Sequence, residues 1–300
     1  MEANYRAERC RGAVSLLPRT LREAASLLSE EEMAAAEELR LRSGQPLTVV
    51  LPGGERPVGR SVVTPGDLEQ LLDNVTGYSR YTAAETVRQG YLTADGGYRI
   101  GLCGTAVVDQ GSVTAIRDLS SVAIRIPREA RGLARPLLPR LFNEGGAPCS
   151  ALIISPPGGG KTTLLRDLVR CLSDDAGLRV ALADERGEIA AVYRGRPQMA
   201  VGRHTDVMDA CPKALAIPAM LRSMNPQVIA VDEVALEEDV AAMIRAANAG
   251  AALLATVHGE SLPELEQKSL FRGMLAAGVF TRAVTIRRRE GKRSYEVDEL

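Results

Sequence analysis

The chain has 300 residues, 45% of them hydrophobic and 25% charged, with a formal net charge of −1. This length suits two domains, and the apolar content supplies a core for each. The near-neutral charge excludes a protein drawn as a whole onto nucleic acid or anionic lipid by its own field.

In chain order, Ser29 followed by Glu30, Glu31 and Glu32 predicts a helix start, a capping hydroxyl with acids at the positive end of the helix dipole. Leu39 and Leu41 then alternate with Arg40 and Arg42, which is strand period, and LTVVL from Leu47 follows a Ser-Gly-Gln-Pro turn as a second strand. Thr64 and Pro65 open a helix with Leu68, Leu71, Leu72 and Val75 on its buried face and Gly77 at its end. Residues 79–88 read as another short helix. GYLTA, YRIGLCGTAVV, VTAI and VAIRI read as strands of antiparallel hairpins joined by glycine-containing turns. Together these predict a mixed α+β domain over residues 1–130.

Pro127, Pro136, Pro139 and Pro148, with Gly145-Gly146 among them, mark a junction holding a short helix near Leu137–Phe142. Beyond it ALIIS, RVALAD, QVIAVDE and AALLATVHG are apolar strands separated by helical stretches, one of them from Thr162 to Leu172. Continuous apolar strands alternating with helices predict a parallel sheet covered on both faces, here over residues 131–300. AVTIRRREGKRSYEV reads as a closing hairpin that turns at Glu290-Gly291-Lys292.

Arginine outnumbers lysine 33 to 4, and no lysine precedes Lys161. Acids are interspersed with the arginines, so the excess reads as the imprint of a GC-rich genome on a mixed surface. The five cysteines (Cys10, Cys103, Cys149, Cys171, Cys211) are never in C-x-x-C spacing. That argues against a zinc site or a disulfide framework and suits a reducing compartment. No segment approaches the roughly 20 apolar residues of a membrane span, and no amino-terminal apolar run resembles a leader. The expectation is a cytoplasmic protein, free to dock at a membrane through partners.

Four strand ends carry the chemistry. ISPPGGGKTTLL follows the G-x-x-x-x-G-K-[ST] phosphate-loop pattern, with Gly160, Lys161 and Thr162 in place and Ser155 where the first glycine belongs. Ser155, Pro156, Pro157, Gly158, Gly159, Gly160, Lys161, Thr162 and Thr163 are thus the candidate ATP-binding residues. Backbone N–H groups of Gly158–Thr162 would wrap a β-phosphate at the helix start, Lys161 would reach the β- and γ-phosphates, and the Thr162 hydroxyl would ligate Mg²⁺. A small residue such as Ser155 suffices at the turn if its φ is negative. In VIAVDEV, Asp232 and Glu233 end a buried strand; Asp232 is the candidate Mg²⁺ ligand and Glu233 the residue that orients or deprotonates the attacking water. In VALADERGE, Glu185 competes with Glu233 for the base, and the reading favours Glu233. In ATVHG, His258 ends a third strand and is the candidate γ-phosphate sensor. His204, in GRHTDVMD, lacks such a strand context.

These features, in this order, resemble the RecA-like secretion ATPases, the type II and type IV secretion motors and pilus motors. Their acidic box corresponds to Asp184–Glu188, their Walker B strand to Asp232-Glu233, and their histidine box to Thr256-Val257-His258. LRSMNPQVIAVDE resembles the family's L-R-x-x-P-D-x-I-x-x-G-E run, with Asp232 standing where the family has glycine. Over most of residues 37–260 the chain is more closely similar to the stage III sporulation protein AA family, on EELRLRSGQP, RQGYLTADGGYRIGLCG, SPPGGGKTT, VALADERGEIA, GRHTDVMD and ATVHGES. The resemblance implies a RecA-like P-loop ATPase domain over 131–300 after the smaller 1–130 domain. It also implies a homo-hexamer with nucleotide between subunits, working with membrane-embedded components of a channel during endospore formation. A ring motor needs an arginine finger, for which Arg125, Arg203 and Arg222 are candidates.

Three other functions compete. A RecA-like ATPase on nucleic acid lacks support here, with no tryptophan, three phenylalanines and no basic stripe with interleaved aromatics, so no direct nucleic-acid partner is expected. A P-loop kinase does not account for the acidic and histidine boxes. An ATP-binding assembly scaffold with little turnover stays open as the alternative.

Overall fold

The computed structural model describes residues 2–77, 90–289 and 292–300. The helix expected over 79–88 and the hairpin turn at 290–291 lie outside them. The chain divides into two compact units, residues 1–128 with 193–198, and residues 129–192 with 199–300.

The first unit begins with α1 (Glu2–Leu16), α2 (Arg19–Ala25) and α3 (Glu30–Ala35). It continues through β1 (Glu38–Arg42), β2 (Pro46–Leu51), β3 (Gly54–Val62), α4 (Pro65–Thr76), β4 (Tyr91–Ala94), β5 (Tyr98–Asp109) and β6 (Ser112–Arg125). The strands form one antiparallel sheet in the order β3-β2-β1-β6-β5-β4. Leu39 and Leu41 of β1 and Ile100 and Ile124 of β5 and β6 pack into one core with Leu17, Leu21 of α2, and Leu68 and Leu71 of α4. The two predicted caps form as reciprocal boxes, Ser29 with Glu32 and Thr64 with Asp67, and Gly77 closes α4 in the left-handed region at φ 60°.

Four elements depart from expectation. Helices α1 and α2 were not predicted because their buried stripe is made mainly of small residues (Ala7, Cys10, Ala13, Ala24, Ala25), which give a weak apolar period. Strand β3 is an edge strand that buries only Val58 and carries Pro57, a residue that edge strands tolerate. VTAI and VAIRI are one continuous strand, β6; the polar stretch between them lies opposite an irregularity near Cys103–Thr105, with Asp118 at φ 46°.

The second unit holds β7 (Ala151–Ser155), α5 (Lys161–Asp174), β8 (Val180–Asp184), β9 (Thr205–Asp209), α6 (Lys213–Met224) and β10 (Val228–Val231). After these come α7 (Glu237–Asn248), β11 (Ala252–His258), α8 (Leu262–Gln267), α9 (Ser269–Ala276), β12 (Arg282–Arg289) and β13 (Lys292–Glu299). The sheet order is β13-β12-β7-β11-β10-β8-β9, parallel throughout except for β13. The short helix expected near Leu137 is a 3-10 turn, Leu138–Leu141.

Both faces of this sheet are covered, which is why its strands read as unbroken apolar runs. Leu152, Ile154, Ile229 and Leu253 pack with Ile217, Met220, Met243 and Met274 of α6, α7 and α9. Their sequence neighbours Ile153, Val228 and Leu254, together with Leu182, point the other way, against Leu164, Leu165, Leu168 and Leu172 of α5. Parallel register then aligns the carboxyl ends: His258 pairs with Ser155, and Val231 lies level with both Ala183 and Ala255. Four sequence-distant loops therefore leave one edge of the sheet together.

Candidate active site

The loop from Pro156 to Gly160 joins β7 to α5. Gly158 and Gly160 adopt φ of 72° and 103°, which L side chains rarely take, whereas Ser155 lies outside the left-handed region. Serine at that position thus carries no backbone strain. It has another consequence: a Cβ built on Gly159 would stand 1.6 Å from Ser155 Oγ. Ser155 is fully buried and its hydroxyl donates to Pro156 O at 3.1 Å, so this oxygen fills the space beneath the loop.

Unlike α3 and α4, helix α5 has no side-chain cap and no acid in its first turn. Its N-cap is Gly160. The first N–H groups of an α-helix lack intrahelical acceptors, and the dipole adds positive potential there. Lys161, 7% exposed, adds a full charge to this end. An uncapped helix start behind a glycine loop that also buries an ammonium has the composition of an anion site, and this suits the polyphosphate of a nucleotide.

The Lys161 ammonium donates to Ser155 O at 2.6 Å and Pro156 O at 3.1 Å, and it lies 2.9 Å from His258 Nδ1. An ammonium can only donate, so Nδ1 accepts and the ring proton of neutral His258 sits on Nε2. That nitrogen is 3.2 Å from Glu233 Oε1. Glu233 Oε2 accepts from Arg186 at 2.9 Å. A continuous chain therefore runs Lys161–His258–Glu233–Arg186. Burial holds Lys161 below the usual lysine range, and the Glu233 carboxylate opposes that shift. Thr256 fixes the middle of this chain: its hydroxyl accepts from Glu233 N at 2.9 Å, and its carbonyl accepts from Val234 N at 2.9 Å.

A second cluster sits around Lys213, at the start of α6 and 5% exposed. Its ammonium donates to Glu185 Oε2 at 2.6 Å and lies 3.5 Å from Asp232 Oδ1. Burial works to lower its affinity for protons, but Glu185, Asp232 and Asp239 outweigh burial and hold it raised. Asp232 is also buried, and among the described residues its Oδ1 has no hydrogen-bond partner. Burial pushes its carboxyl up to about 6, against the pull of Lys213 and with a further push from Asp184 and Glu188. A buried acid with an unfilled lone pair at the end of a sheet strand suits a hard oxygen-seeking cation.

Asp184 serves the fold. It is fully buried and accepts from the backbone N–H groups of Glu188, Ile189 and Ala190 at 2.8–3.2 Å. Arg166 of α5 donates to the Ile189 and Glu188 carbonyls, each at 2.6 Å, and secures the same loop. Glu185 is left as the member of that box that faces the cluster.

The structure thus joins Lys161 to Glu233 through His258 and Glu185 to Asp232 through Lys213. Sequence reasoning missed Lys213. The available signal was its type, one of 4 lysines in a chain with 33 arginines, where a retained lysine marks a position that wants a compact ammonium. His204 does adjoin a strand, β9, but at its amino end, where its carbonyl accepts from Val180 N, away from the glycine loop. Arg125 pairs with Glu38 at 3.0 Å and Arg203 with Asp174 at 3.4 Å, and Arg222 lies in the last turn of α6.

The fold is that of solved secretion-type ATPases. The pilus retraction motor PilT with bound ADP aligns with 93% of this chain and 82% of its own at a TM-score of 0.64 and 17% identity. The Legionella pneumophila ATPase DotB aligns with 93% and 78% at 0.58 and 18%. At such identities the likeness establishes a RecA-like fold. The sequence relation is closer to stage III sporulation protein AA of Bacillus subtilis (strain 168), 37% identical over 281 residues, covering 92% of this chain and 90% of that protein. Residues 9–296 also match the family described as sporulation stage III, protein AA. With both units covered by these matches, the chain belongs to the stage III sporulation protein AA family.

Proposed function

We propose that the protein is an ATP hydrolase of the secretion-motor type. In this reading residues 131–300 form the P-loop motor domain and residues 1–130 an accessory domain. The observation that carries the proposal is the chain Lys161–His258–Glu233, which ties the glycine loop to a carboxylate at the neighbouring strand end.

The roles follow from what each group can do. Backbone N–H groups of Gly158–Thr163 hold the phosphates; Ser155, Pro156 and Pro157 shape the loop that presents them. Lys161 exchanges its carbonyl partners for phosphate oxygens. Glu233 orients the attacking water and takes its proton, since one of its oxygens is already aligned by His258 Nε2–H. His258 links the lysine to this base and reports the arrival of the γ-phosphate. Glu185 is held by Lys213 and keeps that ammonium in place beside Asp232. Thr162 and Asp232 would hold Mg²⁺, which neutralises charge on the transferred phosphoryl group.

The likeness to pilus and secretion ATPases and the membership of a sporulation family support a homo-hexamer that works with membrane-embedded partners of a channel in endospore formation. Among the described residues no helix is long and apolar enough to cross a membrane.

The test is ATP turnover with binding measured in parallel. Glu233→Gln is expected to bind ATP as the wild type does and to lose about 100-fold or more in kcat, within the range of a lost general base. Lys161→Ala is expected to lose binding. Glu185→Gln should lose far less turnover than Glu233→Gln; equal losses would reassign the base, and full activity of Lys161→Ala would refute the site.

A further inference from the structure

The hairpin of β12 and β13 outruns the sheet. The last register pair between β12 and β7 is Thr285 with Ile154, yet β12 continues to Arg289 and β13 returns from Lys292. The overhanging part is basic on both strands. Arg288 pairs across the ladder with Arg293. Like charges directly opposite one another destabilise a strand pair, so this register works against the hairpin unless an anion offsets it.

The overhang stands beside the phosphate loop of the same chain. A Cβ built on Gly160 would lie 3.0 Å from Arg293 Cζ, 3.1 Å from Nε and 3.3 Å from Nη1. The guanidinium is therefore packed against the residue that caps α5. Arg287, on the same hairpin, is neutralised by Glu296 at 2.8 Å. Arg293 is exposed and makes no ion pair with an acid among the described residues. A guanidinium set where an uncapped helix and a buried lysine already converge matches a polyanion. Guanidinium forks hold phosphate oxygens in two parallel hydrogen bonds.

Resting on the ATPase reading above, we infer that Arg293 is a phosphate-binding residue acting in cis, closing over the polyphosphate of the nucleotide held by the Gly158–Lys161 loop. The contact is to phosphate rather than to the base. Its ligand class is therefore any linear polyphosphate, and nucleotide is the case that also fills the rest of the site.

Calorimetric titration of the full chain with ATP and with inorganic tripolyphosphate tests this. Arg293→Gln is expected to weaken both ligands about tenfold and by the same factor. Arg293→Lys should recover part of the loss, and Arg287→Gln, a neutralisation elsewhere on the hairpin, should change neither. Circular dichroism verifies that each variant is folded. Wild-type affinity for both ligands in Arg293→Gln overturns the inference. So does a loss confined to ATP, which would move the contact to the base or ribose, and so does an equal loss in Arg287→Gln, which would reduce the effect to general charge. A wild-type chain that binds neither ligand removes the nucleotide reading itself; a wild-type chain that binds both alike with Arg293→Gln removes only the role of Arg293.

Discussion

Asp232 and Lys213 show at the scale of single residues how a site can oppose the fold that carries it. The carboxyl of Asp232 ionises at about 6 in the folded chain against an ordinary 3.8. A raised folded-state value means that the folded form binds the extra proton. Stability contributed by that proton is present at low pH and is lost as pH rises from about 4 through about 6. Near pH 7.5 the ionised, buried Asp232 costs on the order of 3 kcal/mol. Asp232→Asn is therefore expected to raise the melting temperature at pH 7.5 by several degrees, to raise it little at pH 4, and to abolish Mg²⁺-dependent turnover. Melting curves at the two pH values check the sign. Lys213→Met should act in the opposite direction, because it leaves Asp232 and Glu185 facing each other without the ammonium. Breaking a buried pair typically costs about 3–5 kcal/mol, measurable as a shift in the urea midpoint. Stored instability of this kind is common where buried charge awaits a ligand.

At the scale of the element, strand β7, its loop and helix α5 form one unit whose parts constrain each other. Ser155 replaces a glycine, and its hydroxyl occupies the space that any side chain at 159 would need. The φ of Gly159 is not positive, so the clash with Ser155, not backbone conformation, forbids alanine there. Gly159→Ala is expected to lose ATP binding and roughly 1–3 kcal/mol of stability, as overpacked sites do. In a Ser155→Gly background the same change should cost less than half as much. A double-mutant cycle in stability and in ATP affinity reads the coupling directly; strict additivity would show that Ser155 does not set the requirement at 159. The phosphate-loop pattern was legible in the sequence because its glycines, lysine and threonine are local. The pairing of Ser155 with Gly159 was not, since it depends on a side-chain rotamer within the folded loop.

Across the whole molecule, each unit has its own core, an antiparallel sheet with helices in the first and a two-faced parallel sheet in the second. Chains of this kind depart from all-or-none unfolding. Scanning calorimetry is expected to resolve more than one transition, and ATP at 100 times its Kd should stabilise the one belonging to the second unit by about 2.7 kcal/mol. A uniform shift of every transition would contradict binding confined to that unit.

Much was decided by the sequence alone. Period-2 and unbroken apolar runs separate an antiparallel sheet with one buried face from a parallel sheet with two, because burial acts residue by residue on the pattern. Caps at Ser29 and Thr64 and the glycine loop before Lys161 are read from a few neighbouring residues for the same reason. Helices α1 and α2 and strand β3 escaped because their buried faces are small or single-sided, so packing rather than pattern defines them. Tertiary structure alone decided which charges meet. Lys161, His258 and Glu233 are separated by up to 97 residues along the chain, and Lys213 reaches Glu185 over 28. Only the parallel register that aligns the strand ends brings them within hydrogen-bonding distance. The fold chose the partners of each charge, because Coulomb and hydrogen-bond energies depend on separation in space and not along the chain.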